Sequence, residues 1–256
     1  LFPDDNSIRG KRIAQSIAPD EVTLSIDYGI SYHHYENDII NLELSGLKWY
    51  GSPINSGSSQ PISTNTPNAK ENVDGTIELK MKGHSTSNSL NTFHNIEVHL
   101  NEPNSNKIGN TLPWTGNGAR TISASLQGQD LNRSGNTFFI NNISSDNNSS
   151  PYLDYLTIKY GKELIFSNDR IEFFSPIKNT NVRFNFHSNL PSNVLALDIT
   201  YPSQPKTIEI IDNQKLEVSL TGENTSRFIV VDRSKIMNID EINYEPGINF
   251  NSLRNK

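Results

Sequence analysis

Apolar residues in this chain recur at every second position, segment after segment. Val22, Leu24 and Ile26 share one parity, as do Ile77, Leu79 and Met81, then Ile96, Val98 and Leu100, then Ile122, Ala124 and Leu126. Leu156 and Ile158 continue the series, with Tyr152 and Asp154 in the same register. Val182, Phe184 and Phe186, then Leu195, Leu197 and Ile199, then Leu216, Val218 and Leu220 extend it. A period of two lines one face of an extended strand. No segment carries apolar residues at helical spacing over three turns. The unbroken run Phe228-Ile229-Val230-Val231 predicts a strand covered on both faces. Turn-forming clusters of Ser, Asn, Gly, Pro and Thr at 51–72, 101–106 and 141–150 separate the strands. The first is long for a structureless loop, so it is either functional or holds a short strand. The expectation is an all-β chain. A jelly-roll-like β-sandwich with N-terminal strands spans 1–162, a smaller β-sandwich unit spans 163–232, and a linker fills 233–256.

Composition supports this reading. The hydrophobic fraction of 34% is low, yet 11 Phe, 9 Tyr and 2 Trp supply ample aromatic mass. Thin sandwich cores with many polar turns have that balance, whereas disordered chains are poor in aromatics. A net charge of -6 argues against a nucleic-acid partner, which requires a basic face. No apolar run is long enough to predict a transmembrane segment. With no cysteine in its 256 residues, the chain has no disulfide, thiolate nucleophile or Cys-based zinc site. The opening Leu1-Phe2-Pro3-Asp4-Asp5 lacks Met and any leader pattern, which reads as a trimmed start, and the asparagine-rich stretch beyond Ser234 reads as a linker cut short.

Chemistry-bearing motifs are sparse. In Tyr32-His33-His34-Tyr35-Glu36-Asn37-Asp38, His34, Glu36 and Asp38 share a strand face while His33 points away, a poor metal geometry. His94 and His99 sit at opposite parity, so they do not share a ligand. His94 reads as a satisfied core-edge histidine. No Gly-x-Ser-x-Gly elbow, paired carboxylates or phosphate-cradling loop is present, and Gly116-Asn117-Gly118 reads as a tight turn. Asp146-Asn147-Asn148 is a weak oxygen cluster better read as a surface turn than a calcium loop. No catalytic residue, metal or cofactor is therefore assigned. Trp49-Tyr50 and Trp114 are the strongest binding candidates: an exposed Trp114 would stack on a sugar ring with Asn117 and Arg120 contacting hydroxyls, and a buried one would plug the core.

The segment Tyr152-Leu153-Asp154-Tyr155-Leu156-Thr157-Ile158-Lys159-Tyr160, the apolar pieces around Leu164, Phe166 and Ile171–Phe174, and the strand and turn from Val194 through Asp198-Ile199-Thr200-Tyr201-Pro202 to Lys206 resemble the region preceding the peptidase domain in gingipain-like cysteine peptidases, including sortases of the type IX secretion system. Tyr201 stands where that turn carries an aspartate. Glu36-Asn37-Asp38, Lys48-Trp49-Tyr50-Gly51 and Phe250–Arg254 resemble further family stretches. The resemblance implies a non-catalytic accessory region of an exported or cell-surface peptidase. The downstream peptidase domain of the same polypeptide would be its partner, with other cell-envelope or secretion proteins as further partners. The family's nucleophilic Cys and its His belong to that downstream domain, so no catalytic residue carries over. The competing reading is a free-standing carbohydrate-binding or adhesive β-sandwich. From the strand pattern alone, Asp154 requires a partner if it faces inward, expected in a neighbouring backbone turn.

Overall fold

The computed structural model describes residues 13–42, 44, 46–110 and 113–236. The expected linker beyond 236 and the Phe250–Arg254 motif lie outside the described residues. In chain order, β1 (Ala14–Gln15), β2 (Leu24–Ile26) and β3 (Tyr28–Glu36) open the fold. There follow β4 (Ser59–Thr64), β5 (Gly75–Lys82), β6 (Phe93–His94), β7 (Ile96–Leu100), β8 (Lys107–Asn110), β9 (Trp114–Thr115), β10 (Ala119–Leu126), β11 (Asn136–Asn142) and β12 (Tyr152–Glu163). The rest are β13 (Arg170–Phe174), β14 (Asn181–Asn185), β15 (Val194–Asp198), β16 (Lys206–Ile208), β17 (Ile210–Ile211), β18 (Lys215–Ser219) and β19 (Arg227–Asp232). Among the described residues the helical pieces are two single 3-10 turns, so the chain is all-β as its periodicity requires.

One sheet of nine strands, in the order β1-β16-β15-β19-β13-β3-β12-β5-β10, runs the length of the molecule. Two four-stranded sheets, β4-β11-β7-β8 and β17-β18-β14-β2, cover it. The register shows that both lie on the same side. Leu156, Ile158 and Tyr160 of β12 stand opposite Tyr35, His33 and Ser31 of β3, so those six side chains share a face. On the other side of β3, Phe174 stands opposite Ile30, which turns Phe173 to the face shared by Ser31 and His33. The first core gathers Ile77, Leu79, Met81, Leu156 and Ile158 against Ile62, Val98, Phe138 and Ile140. The second gathers Ile171, Phe173, Val194, Ala196, Phe228 and Val230 against Val182, Phe184, Leu216 and Val218. In the first sandwich the chain crosses repeatedly between sheets, from β3 to β4 to β5, then on to β7, β10, β11 and β12, which is the jelly-roll-like pattern.

The stretch 51–72 does contain a strand. β4 runs along the edge of its sheet, where Pro61, opposite Phe139, is tolerated. Three expectations are corrected. Of the N-terminal strands, β3 joins the first sandwich through β12 as expected, but β1 and β2 do not: β1 pairs in parallel with β16 and β2 with β14. Ile26 packs against the second core, and the Thr23 hydroxyl donates to the Asn181 carbonyl at 2.8 Å, which anchors the segment there. In β15, Val194 and Ala196 face the core, while Leu195 and Leu197 point outward beside Val231 and Ile229. The run Phe228–Val231 is accordingly buried on one face and half-exposed on the other.

Gly29 sits where the two cores meet. A Cβ there would lie 2.5 Å from Phe173 Cδ2 and 2.7 Å from Phe173 Cβ. Phe173 is locked by Phe184 at 5.1 Å, Phe228 at 5.5 Å and Phe186 at 6.4 Å, so it has no room to yield. Gly29→Ala is expected to destabilise the fold by about 1–3 kcal/mol in urea unfolding, as overpacking does. An unchanged midpoint would contradict this placement of the seam.

Candidate functional site

The residues singled out for sugar binding do not form a site. Trp114, on β9, pairs with β6 at His94 and is only 3% exposed, part of the first core. Its ring lies 4.8 Å from the His94 ring. The indole plugs the core and presents no face to a ligand, the second of the two readings its sequence left open. Asn117 is exposed in the turn that Gly116 makes with φ +75°, and Arg120 is exposed on the edge strand β10, its guanidinium donating to the Ala119 carbonyl at 3.1 Å. Without the indole the two surround no platform.

His94 is fully buried and satisfied at both nitrogens, lying 2.8 Å from Ser149 Oγ at Nδ1 and 3.1 Å from the Gly116 carbonyl at Nε2. A carbonyl only accepts, so Nε2 carries the proton and Nδ1 accepts from the Ser149 hydroxyl. Asn142 Nδ2 then donates to Ser149 Oγ at 3.0 Å and to the Ile54 carbonyl at 2.8 Å, closing the network. This Ser–His pair is structural, since Ser149 and His94 are both fully buried. Asp146 is a turn residue, as read: its carboxylate accepts from the Asn148 amide at 2.9 Å and the Phe93 amide at 3.1 Å, and these bonds hold its pKa below the ordinary value. Among the described residues no group of three or more His, Cys, Asp or Glu side chains is placed to hold a metal ion.

The functional-looking chemistry lies instead on the outer face of the long sheet. Tyr32, His34 and Glu36 of β3 point outward beside Tyr155 and Thr157 of β12 and Glu78 and Lys80 of β5. His34 bonds Thr157 at 2.8 Å and Glu36 at 3.3 Å, and the Tyr155 hydroxyl donates to Glu78 at 2.6 Å. A bulge between Leu153 and Tyr155 swings Asp154 into this row, where it pairs with Lys80 at 3.0 Å. Asp154 thus finds a cation, not the backbone turn expected for it. Its carboxylate, through that bond and its charge, holds the Lys80 pKa above the ordinary lysine value. At one end of the row a cleft of about 260 Å³ is lined by Trp49, Lys48, Glu36, Lys80 and Asp154. Trp49 is 42% exposed, and its indole donates to the Gly46 carbonyl at 3.2 Å. Of the two tryptophans, this is the one a ligand can reach. The adjoining segment exposes Ile39, Leu44 and Leu47.

No family model matches the chain, and no curated protein matches it. Among solved structures, dimeric latent PorU from Porphyromonas gingivalis superposes with a TM-score of 0.72 at 14% identity, covering 88% of this chain and 22% of that one. The two share a fold. This chain thus corresponds to under a quarter of PorU's length. Two carbohydrate-binding structures align over half of the chain only: the CBM36-1 domain of a multidomain xylanase from the hindgut metagenome of Trinervitermes trinervoides, with TM-score 0.34 at 10% identity and 95% of its own length, and a carbohydrate-binding module CBM36 in complex with calcium and xylotriose, with TM-score 0.33 at 11% identity and 98% of its length. At those scores the likeness is too weak to define a fold relation.

Burial holds His94, His84 and His33 below the ordinary histidine pKa of about 6.5. A histidine held neutral in the folded chain binds its proton more readily once unfolded. The stability it contributes is therefore full above about pH 6.5 and is lost as pH falls below that value. The urea midpoint is expected to drop between about pH 7 and about pH 5, and His94→Gln is expected to lower it at neutral pH while flattening the slope. An equally steep acid slope in the variant would show that His94 does not carry the effect.

Trp114→Ala is expected to cost about 3–5 kcal/mol in equilibrium unfolding, as removal of a buried aromatic does. A loss below about 1 kcal/mol would mean that the indole is not a core plug.

Proposed function

We propose that this chain is a non-catalytic β-rich region of a longer, exported gingipain-like cysteine peptidase, standing before the peptidase domain and packing on it or positioning it. The observation that carries the reading is the fold shared with PorU over 88% of this chain and 22% of that one. The resemblance of residues 152–207 to the segment preceding gingipain-like peptidase domains supports it independently. In that stretch β12 carries Leu153, Leu156, Ile158 and Tyr160 into the first core, and the 199–206 turn closes the route from β15 to β16. Asp198 Oδ1 caps this turn by accepting from the Thr200 amide at 2.9 Å, and the Arg227 backbone amide donates to the Thr200 hydroxyl at 3.0 Å. The motif thus has a physical role: it fixes the strand exit on which the second core depends.

The outer face supplies a surface for such packing. Leu195, Leu197, Ile229 and Val231 form a half-exposed apolar patch on the long sheet, bordered by the Arg227–Glu172 ion pair. An extracellular or cell-surface location goes with this reading. Among the described residues no helix is long and apolar enough to cross a membrane.

A peptidase assay on the isolated chain tests the proposal. Peptide hydrolysis is expected to be absent under reducing conditions, because the family's chemistry needs a thiolate and this sequence has no cysteine. Cleavage that co-purifies with the chain and is abolished by one point mutation in it would overturn the reading.

The carbohydrate-binding alternative retains one observation in its favour, the exposed Trp49 at the mouth of a polar cleft. Because Trp114 is buried, a ligand-induced change in tryptophan fluorescence would report on Trp49. Oligosaccharide titration is expected to leave the emission unchanged. A saturable shift lost in Trp49→Ala would put the sugar-binding reading first.

A further inference from the structure

The long sheet is split at one place. β13 and β3 are adjacent, yet they pair only where Phe174 meets Ile30. Beyond that pair the strands part and leave a cleft of about 260 Å³ between them. Its walls are Ser31 and Tyr32 on one side, Arg170, Glu172 and Phe174 on the other, and Lys162 from the end of β12.

Charge in the cleft is unbalanced. Glu172 is its carboxylate, and one of its oxygens is already taken by Arg227, which donates through Nε at 2.7 Å and stacks its guanidinium over the Phe174 ring at 5.5 Å. Arg170 approaches the second oxygen only to 4.0 Å, and its side chain is 66% exposed. Lys162 is half-buried, and among the described residues its ammonium has no hydrogen-bond or ion-pair partner. Burial, the larger cause, lowers its pKa, and Arg170 adds to the lowering while Glu172 opposes it. Lys159, exposed, stands directly opposite Tyr32 on β12. Two cations, Lys162 and Arg170, therefore line the cleft with one carboxylate that Arg227 already engages. A half-buried ammonium without a hydrogen-bonded partner is costly, and an anion arriving from solution would relieve that cost.

The floor of the cleft is aromatic. Tyr32 and Phe174 meet edge to face at 5.0 Å and 85°, and Tyr32 is 46% exposed. A guanidinium and an ammonium lining the same cleft as an aromatic pair suit a planar anion attached to an apolar group: the fork of Arg170 matches a carboxylate in two-point contact, and the rings take the apolar portion.

We propose that the cleft between β3 and β13 is a binding site for a carboxylate carried on an apolar or aromatic group, with Lys162 and Arg170 holding the carboxylate and Tyr32 and Phe174 receiving the apolar part. Its volume matches a group the size of one amino-acid side chain, supplied either by a free small molecule or by the end of a peptide. The site lies apart from the cleft at Trp49 and does not rest on the proposed accessory role.

The test uses the whole chain with its lysines reductively methylated with carbon-13 and followed by NMR, titrated with 3-phenylpropionate and separately with acetyl-Gly-Gly-Phe bearing a free C-terminus. One resonance, identified by its loss in Lys162→Met, is expected to move saturably at millimolar probe. The exposed Arg170→Ser variant is expected to weaken that response at least about tenfold. Saturation with phenylpropionate supports a small-molecule ligand, and saturation with the peptide alone supports a peptide end. Movement no greater than sodium chloride produces at equal ionic strength, an equal response to inorganic phosphate, or equal responses from the other lysines would overturn the proposal.

Discussion

The antiparallel ladder between β3 and β12 is the constraint on which the rest of the structure depends. It runs without interruption from Tyr155 opposite Glu36 to Glu163 opposite Tyr28. Through β12 it reaches β5 and β10, which carry the first core, and through β3 it reaches β13, which carries the second. Each backbone bond adds only about 1 kcal/mol net, so the ladder's importance is geometric. It fixes the register that turns Ile158 and Phe173 to one side of a single sheet, and a slip by one residue would send every apolar side chain of β3 and β12 to the wrong face. Gly29 and Gly161 are the relief points of this ladder: a Cβ on the first would strike Phe173, and one on the second would come within 2.4 Å of Val73 Cγ1. Two cores can stand side by side under one sheet because β3 presents backbone, not side chain, where they meet.

Much of this was legible in the sequence. The triplets Ile77-x-Leu79-x-Met81 and Ile96-x-Val98-x-Leu100 are buried as their parity demands. What escaped has physical causes. β11 carries Phe138 and Ile140 in the core, yet its alternation is hidden because Asn141 and Asn142 at its end are buried too, each donating to a loop carbonyl, Pro103 and Ile54 respectively. In β15 every residue from Val194 to Leu197 is apolar, so the sequence offers both parities. The packing chose the smaller Val194 and Ala196 for the core because Phe173, Phe184 and Phe228 already fill that space. The partners of β1 and β2 are more than 150 residues away in the chain, as the bond from Thr23 to Asn181 shows, and local pattern carries no record of such pairing.

The candidate site was less legible than the fold for a related reason. Trp114 and Trp49 are chemically alike in a sequence, and only the tertiary neighbours decide which is buried. Trp114 is enclosed by the loops of β6 and β9, whereas Trp49 stands on a segment tethered to the sheet by the bridge between Ile40 and Tyr50. The cations of the β3–β13 cleft, Lys162 and Arg170, come from two strands with no shared motif, so nothing short of the folded sheet brings them together. The likeness to gingipain-like peptidases, by contrast, sits in contiguous segments that do structural work, β12 and the β15–β16 turn.

The proposed function makes this chain the front part of a larger enzyme, and reading the gene past the codon for Lys256 tests that most directly. The reading frame is predicted to continue into an α/β domain with a histidine at a strand end and a later cysteine, the thiol chemistry this chain lacks. An immediate stop codon would contradict the account and leave a free-standing β-sandwich whose accessible chemistry is the Trp49 cleft and the cationic cleft between β3 and β13.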